Sequence, residues 1–109
     1  MKPVDFLVLM VLSQGDRHGY GIVQDIESET RGTVRLVPGN LYSVLRRLLD
    51  NGVVEESGRR AASDLEDQRR RYYHITPFGR RVLAAEAERL RELVAMAETR
   101  NILDRTTPA

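Results

Sequence analysis

The 109-residue sequence contains no cysteine, and that one absence removes disulfide staples, thiolate metal sites and cysteine nucleophiles together. It suits a reducing compartment without requiring one. Lysine is nearly missing as well: Lys2 is the only one among 17 basic residues, so arginine carries the positive charge. The planar arginine fork suits phosphates and guanine edges, although a codon bias toward arginine would leave the same trace. No apolar run approaches the length needed to cross a bilayer. The first residues also lack the basic start and small-residue cleavage site of a signal peptide, so a cytoplasmic location is expected. A net charge of +1 argues neither for nor against a nucleic-acid partner and leaves the decision to how charge is distributed. With 41% hydrophobic and 30% charged residues, the chain has the balance of one globular domain.

What is present is organised around Leu36-Val37-Pro38-Gly39-Asn40-Leu41-Tyr42-Ser43-Val44-Leu45-Arg46-Arg47-Leu48-Leu49-Asp50-Asn51-Gly52. Leu41, Val44, Leu45 and Leu48 recur at helical spacing and form one apolar stripe, while Ser43, Arg46, Arg47 and Asp50 fall on the opposite face. Pro38 suits the first turn, where its missing N–H costs nothing, and Asn51-Gly52 supplies a left-handed stop. A helix anchored by leucines that presents serine, tyrosine and two arginines has the chemistry of a DNA-reading helix. An arginine pair on a polar face is, by itself, ordinary solvated charge. The neighbouring segments decide between the two.

Val4 to Leu12 is apolar at eight of nine positions, too many for a helix with one wet face, so it must be covered on more than one side. Ser13-Gln14-Gly15-Asp16 breaks it, and Asp16 is placed to cap a second helix that carries Tyr20, Ile22, Val23 and Ile26 inward. Gly19 and Gly21 each cost that helix about 1 kcal/mol relative to alanine, which implies a packing reason such as close approach of another helix. Thr30-Arg31-Gly32-Thr33 ends it. After the third helix the period changes: Val53-Val54-Glu55-Glu56-Ser57 and Arg71-Tyr72-Tyr73-His74-Ile75 read as two strands of a hairpin. The loop between them, residues 58–70, is basic at both ends and acidic in the middle. Closing the hairpin should therefore gather Arg59, Arg60, Arg69, Arg70 and Arg71 in one place.

Thr76-Pro77 is a strong helix start. From Phe78 to about Asp104, Leu83, Ala87, Leu90, Val94 and Ala97 follow alternating spacings of four and three, a seam of coiled-coil type. Val82, Leu93, Met96 and Leu103 form a second stripe beside it. At 1.5 Å per residue such a helix runs about 40 Å and must outrun its own core. A second copy would bury the overhang and also cover the first helix. The expected dimer interface comprises Phe6, Leu7, Met10, Leu83, Ala87, Leu90, Leu93, Val94, Met96 and Ala97.

Three helices, a two-stranded hairpin with a basic tip and a long last helix make the order of a winged helix-turn-helix, a mainly α (α+β) fold. In that arrangement the third helix enters the major groove and the wing lies along the adjacent backbone or minor groove. Residues 1–75 are expected to form the DNA-binding unit, residues 76–105 a dimerisation helix of the same compact body, and residues 106–109 a frayed tail. Ser43 and Arg46 lie most squarely outward and are the best candidates for base contacts. Tyr42, at the edge of the apolar stripe, either reaches a phosphate or is a plain boundary tyrosine. Arg47 either contacts DNA or pairs with Asp50 or Asp25, and the ion pair is the favoured reading. Tyr73 and Ile75 share one face of their strand and are expected in the core.

The combination His18-Gly19-Tyr20 with Ile22, then Pro38-Gly39-Asn40-Leu41-Tyr42 followed by Leu45, Arg47, Leu48 and Gly52, then Arg71-Tyr72-Tyr73 and Thr76 with Gly79, resembles the PadR-type bacterial transcriptional regulators. The likeness spans residues 4 to about 98. It implies a dimeric winged-helix repressor with a long dimerising last helix, and DNA affinity that a small ligand often lowers. The single C-terminal helix is similar to the compact branch of that family. Within the matched motifs Tyr20 and Asn40 join the candidate DNA contacts, with Asn40 standing where threonine or serine is common. A tryptophan in the last helix stacks on flat ligands in some small multidrug-sensing members, and this chain has none. If an effector is sensed, Phe6, Leu7, Met10, Leu93 and Met96 offer an adaptable apolar lining for a small apolar or aromatic compound.

His18 and His74 have no cysteine or carboxylate cluster around them, so no metal site is expected. No cofactor motif, nucleophile elbow or phosphate loop is recognisable, and the chain is read as no enzyme. The partners expected are double-stranded DNA with an inverted-repeat operator and a second copy of the chain. The rival readings are a winged-helix protein-interaction module, whose case rests on the acidic Asp64-Leu65-Glu66-Asp67 in the loop, and a small-molecule carrier built on a dimer cavity.

Overall fold

A computed structural model describes residues 1–57 and 71–104. The described chain runs α1 (Pro3–Leu12), β1 (Arg17–His18), α2 (Gly19–Glu29), α3 (Pro38–Asp50), β2 (Val54–Glu56), β3 (Tyr72–Ile75) and α4 (Pro77–Thr99). The four helices and the two expected strands are all present, with different limits at the start of α2 and the end of α4. Residues 58–70 and the tail 105–109 lie outside the described residues, and with them Arg59, Arg60, Arg69 and Arg70.

The core is built where α1, α2 and α3 meet the sheet. Val8, Leu9 and Leu12 of α1, Ile22 and Ile26 of α2, Leu45 of α3 and Val54 of β2 are its most deeply buried side chains. Tyr73 and Ile75 join them, as their shared strand face implies. Helix α1 packs against α2, α3, β3 and α4, which is why a nearly all-apolar segment is stable there. Its one acid, Asp5, is 6% exposed.

Two expectations for α2, its cap and the direction of Tyr20, are corrected, and the sheet gains a strand. The sheet has three strands in the order β1-β3-β2, because Arg17 and His18 pair antiparallel with Tyr73 and Tyr72. A two-residue strand is too short to leave an alternating pattern in sequence. Because that pairing holds residues 17 and 18 extended, α2 cannot begin at Asp16; its cap is His18, whose Nδ1 accepts the Gly21 N–H at 3.1 Å. The His18 ring also meets Tyr72 edge-on at 5.5 Å. Tyr20, expected to point inward, is 66% exposed, and Val23 is half-buried, while Ile22 and Ile26 are in the core.

Helix α4 is capped by Thr76, whose Oγ1 accepts the Gly79 N–H at 2.9 Å and donates to the Gly52 carbonyl at 2.8 Å. The helix stops at Thr99, five residues short of the expected end at Asp104. Asn101 takes a left-handed conformation at φ 62, and the N–H groups of Asn101 and Ile102 return to the carbonyls of Glu98 and Ala97. Asparagine is the usual substitute for glycine in this stop, so Asn101 is the signal that the apolar spacing masked. At 23 residues the helix is about 35 Å long, and Leu103, past its end, is not part of a helical stripe. No residue of α4 beyond Leu83 is buried, so the greater part of the helix extends from the core as an arm. The molecule accordingly measures 55 × 28 × 23 Å.

Candidate nucleic-acid interface

Helix α3 is held from beneath by Leu41, Val44, Leu45 and Leu48, all buried. That stripe fixes which residues face outward: Asn40, Tyr42, Ser43 and Arg46 are exposed. Pro38 opens the helix, no side chain caps it, and Gly52 closes the following turn at φ 76.

The adjacent arginines part company. Arg47 turns toward α1 and grips Asp5 with both arms of its fork, Nη2 donating to Oδ1 at 2.6 Å and Nε to Oδ2 at 3.1 Å. These hydrogen bonds raise the guanidinium's pKa above its ordinary value, against a smaller opposing effect of burial, so its charge is permanent. The favoured ion-pair reading holds, but with a partner that is neither Asp50 nor Asp25. Asp25 is taken by Arg17 at 2.9 Å. Sequence reasoning missed Asp5, although a lone carboxylate in an otherwise apolar helix is itself a signal, because a buried charge needs a cation. Arg46 makes no ion pair among the described residues.

Between α3 and the strands of the wing lies a cleft of about 410 Å³. Tyr42, Leu45, Arg46, Leu49 and Asp50 line it from the helix, and Glu56, Arg71 and Tyr73 from the sheet. The fold thus brings Tyr42, Arg46 and Arg71 together across 29 residues of sequence. It also places two carboxylates there, of which Glu56 accepts from Arg71 at 3.2 Å. Burial, and then the Glu56 charge, push the Tyr73 hydroxyl above its usual pKa, so this phenol enters the cleft in its neutral form. His74, on the other face of β3, is hydrogen-bonded to Glu55 at 2.8 Å.

A second hollow, about 360 Å³, opens at the N-terminal end of α3 and is lined by Gly19, Tyr20, Val23, Pro38, Leu41 and Tyr42. Tyr42 lines both, so the two hollows adjoin at that residue of α3. Sequence reasoning singled out Tyr20 and Tyr42 separately but not the hollow between them.

The expected dimer residues divide into two groups. Leu83 belongs to the core of its own chain, and Phe6 and Leu7 are half-buried against that core. Met10, Leu93, Val94 and Met96 are 40–47% exposed, Ala87 is exposed, and Leu90 and Ala97 are half-buried. No described helix is long and apolar enough to cross a membrane.

Comparison with known proteins agrees with this layout. The transcriptional regulator PadR-like family matches residues 8–85. An uncharacterized protein of Lysinibacillus sphaericus is 32% identical over 103 residues, covering 93% of this chain and 84% of that one. The structure of a transcriptional regulator from Clostridium thermocellum superposes with a TM-score of 0.71 at 28% identity, covering 94% of this chain and 90% of the other. A PadR-like transcriptional regulator from Bacillus cereus gives 0.67 at 25% identity, with 94% and 93% covered. The chain, with a three-stranded winged helix-turn-helix and a long last helix, belongs to the PadR-like family and is a DNA-binding transcriptional regulator.

Proposed function

We propose that this regulator is a dimeric repressor that reads an inverted-repeat operator with α3. The observation that carries the reading is the separation of the arginine pair: Arg47 is spent on Asp5, while Arg46 stands exposed beside Tyr42 and Ser43 without an ion-pair partner among the described residues. Arg46 and Ser43 contact bases, Asn40, Tyr42 and Tyr20 flank them, and Arg71 approaches the backbone from the wing together with Arg59, Arg60, Arg69 and Arg70. Arg47 acts through Asp5 as a positioning residue that fixes the pitch of α3. Residues 1–75 form the DNA-binding unit and residues 76–105 the dimerisation arm, which sets two α3 helices in successive major grooves about 34–36 Å apart. Ala87, Leu90, Leu93, Val94, Met96 and Ala97 meet their counterparts, with Phe6, Leu7 and Met10 beside them. A small apolar or aromatic effector, where one acts, lodges among Phe6, Leu7, Met10, Leu93 and Met96. The protein works in the cytoplasm, and its chemistry is binding rather than catalysis.

Selection from a random duplex library, followed by titration at several salt concentrations, tests this. A consensus with two-fold symmetry is expected. Arg46→Ala should lose about 1–3 kcal/mol on the consensus and relax preference at one base pair per half-site. Replacing Arg59, Arg60, Arg69 and Arg70 together should weaken binding to every sequence and flatten its salt dependence, because such contacts go to phosphate. Equal affinity for all duplexes, untouched by either change in a folded protein, would return the interaction-module reading to first place.

A further inference from the structure

The hollow at the start of α3 is chemically unlike the cleft beside it. Its lining residues, Gly19, Tyr20, Val23, Pro38, Leu41 and Tyr42, include no charged side chain, and Pro38 has no N–H to offer. Among its side chains only the two phenol hydroxyls can hydrogen-bond. Yet the hollow is at the outer surface: Tyr20 is 66% exposed, Tyr42 50% and the preceding Val37 57%. An apolar concavity kept open to water on a charged protein marks a contact site rather than core. Gly19 forms part of its wall, and a Cβ there would come within 3.4 Å of Leu41 Cδ2. Gly19 therefore stands at the junction with α3, where an added Cβ would touch Leu41 at ordinary contact distance and narrow the hollow.

Position decides the occupant. The hollow lies against the first turns of α3, and the N-terminal residues of a recognition helix are those that meet base edges in the major groove. It shares Tyr42 with the cleft that Arg46 and Arg71 line. Among the groups that project from base pairs into that groove, the C5-methyl of thymine is the one apolar substituent. A wall of valine, leucine, proline and aromatic ring cannot satisfy the hydrogen-bonding groups there and fits that methyl. We propose that this hollow is a thymine-reading site, which takes the 5-methyl group of one thymine per half-site against Val23, Pro38 and Leu41, with the Tyr20 and Tyr42 rings on either side. The inference rests on α3 being the reading helix. It divides the labour along α3, the hollow selecting a methyl at one end and Arg46 a polar edge further along.

Uracil differs from thymine by that methyl alone, so the site can be tested on the DNA without altering the protein. On the consensus duplex selected by the intact protein, each deoxythymidine is replaced in turn by deoxyuridine. One position per half-site should lose about fourfold in affinity, the value of a buried methyl group, and the other positions should change little. Val23→Thr keeps the shape and adds a hydroxyl; it should bind the thymine and uracil duplexes alike, and Gly19→Ala, which fills the wall, should do the same. Uracil tolerated at every position of an enriched consensus would overturn the thymine site and leave DNA reading by α3 standing. A uracil penalty of equal size in the intact protein and both variants would also overturn it. If instead the scan is silent and anilinonaphthalene sulfonate shifts the Val23 and Leu41 methyl resonances, the hollow takes a small ligand and the proposal fails. Enrichment of no sequence at all would remove the sequence-reading role of α3 together with it.

Discussion

Gly79 sets the distance between α4 and the sheet. A Cβ at that position would run into the Val53 carbonyl and approach Ile75 Cγ1 to 2.8 Å, while the same carbonyl accepts the Thr76 N–H at 3.0 Å. Neither backbone group can retreat without breaking the junction of β2, β3 and α4. Gly79→Ala should therefore cost about 1–3 kcal/mol, measured as a lower urea midpoint with an unchanged slope. An unaltered midpoint would mean that the helix lifts away freely. Tyr73 gives a second single-residue test, this one in pH. Its neutral form is favoured in the folded chain by burial and by Glu56, so its pKa lies above its unfolded value of about 10. The stabilisation is complete below about pH 10 and is lost as pH rises from there through the folded pKa. Tyr73→Phe, which cannot ionise, should match the parent near neutrality and gain on it progressively above about pH 10. Parallel stability curves across that range would show that the hydroxyl is not held neutral.

Helix α3 was legible from its own residues in most respects. Its apolar stripe, its proline start and its glycine stop are all local, since each depends on positions within a few residues of one another. What α3 does with Arg47 is not local, because the acceptor Asp5 is 42 residues away and two elements intervene. That bidentate pair ties α3 to α1 and sets how α3 is presented. Asp5→Ala should lower both the melting temperature and operator affinity, although Asp5 never faces DNA. A rise in affinity instead would mean that the pair withholds Arg47 from a phosphate. The wing is legible to a similar depth. Its two longer strands show in the short β-branched and aromatic runs at Val53-Val54 and Tyr72 to Ile75, whereas β1 exists only because β3 is there to receive it.

Along α4, as it leaves the core, the described residues past Leu83 keep apolar spacing, and none of them is buried. Leu93, Val94 and Met96 remain 45–47% exposed, and the helix offsets its open flanks with ion pairs such as Glu86 with Arg89 and Glu88 with Arg91. A second copy would remove that apolar face from water. Val94→Arg takes nothing from the core, so it should leave helical content and the chain's own fold intact. It should nevertheless shift the sedimentation profile from dimer to monomer at micromolar concentration. Operator affinity should fall with it, because a lone α3 gains one half-site only. A variant that stays dimeric would place the contact elsewhere than on this seam.

Periodicity and punctuation in the sequence determined the order of the four helices and the two wing strands, the face that α3 buries and the outward position of Ser43 and Arg46. Those features follow from the 3.6-residue turn and from proline, glycine and threonine acting on their immediate neighbours. The resemblance in the His18-Gly19-Tyr20 and Pro38 to Tyr42 motifs pointed to the family on the same local residues. Only the tertiary structure decided that Arg47 serves Asp5, that His18 rather than Asp16 starts α2, that Tyr20 faces out and that Glu56 enters the cleft beside Arg46. Each of these depends on which distant residue arrives at hydrogen-bonding or packing distance. Such proximity is set by how α1, α2, α3 and the sheet close over one core, and no spacing along the chain encodes it.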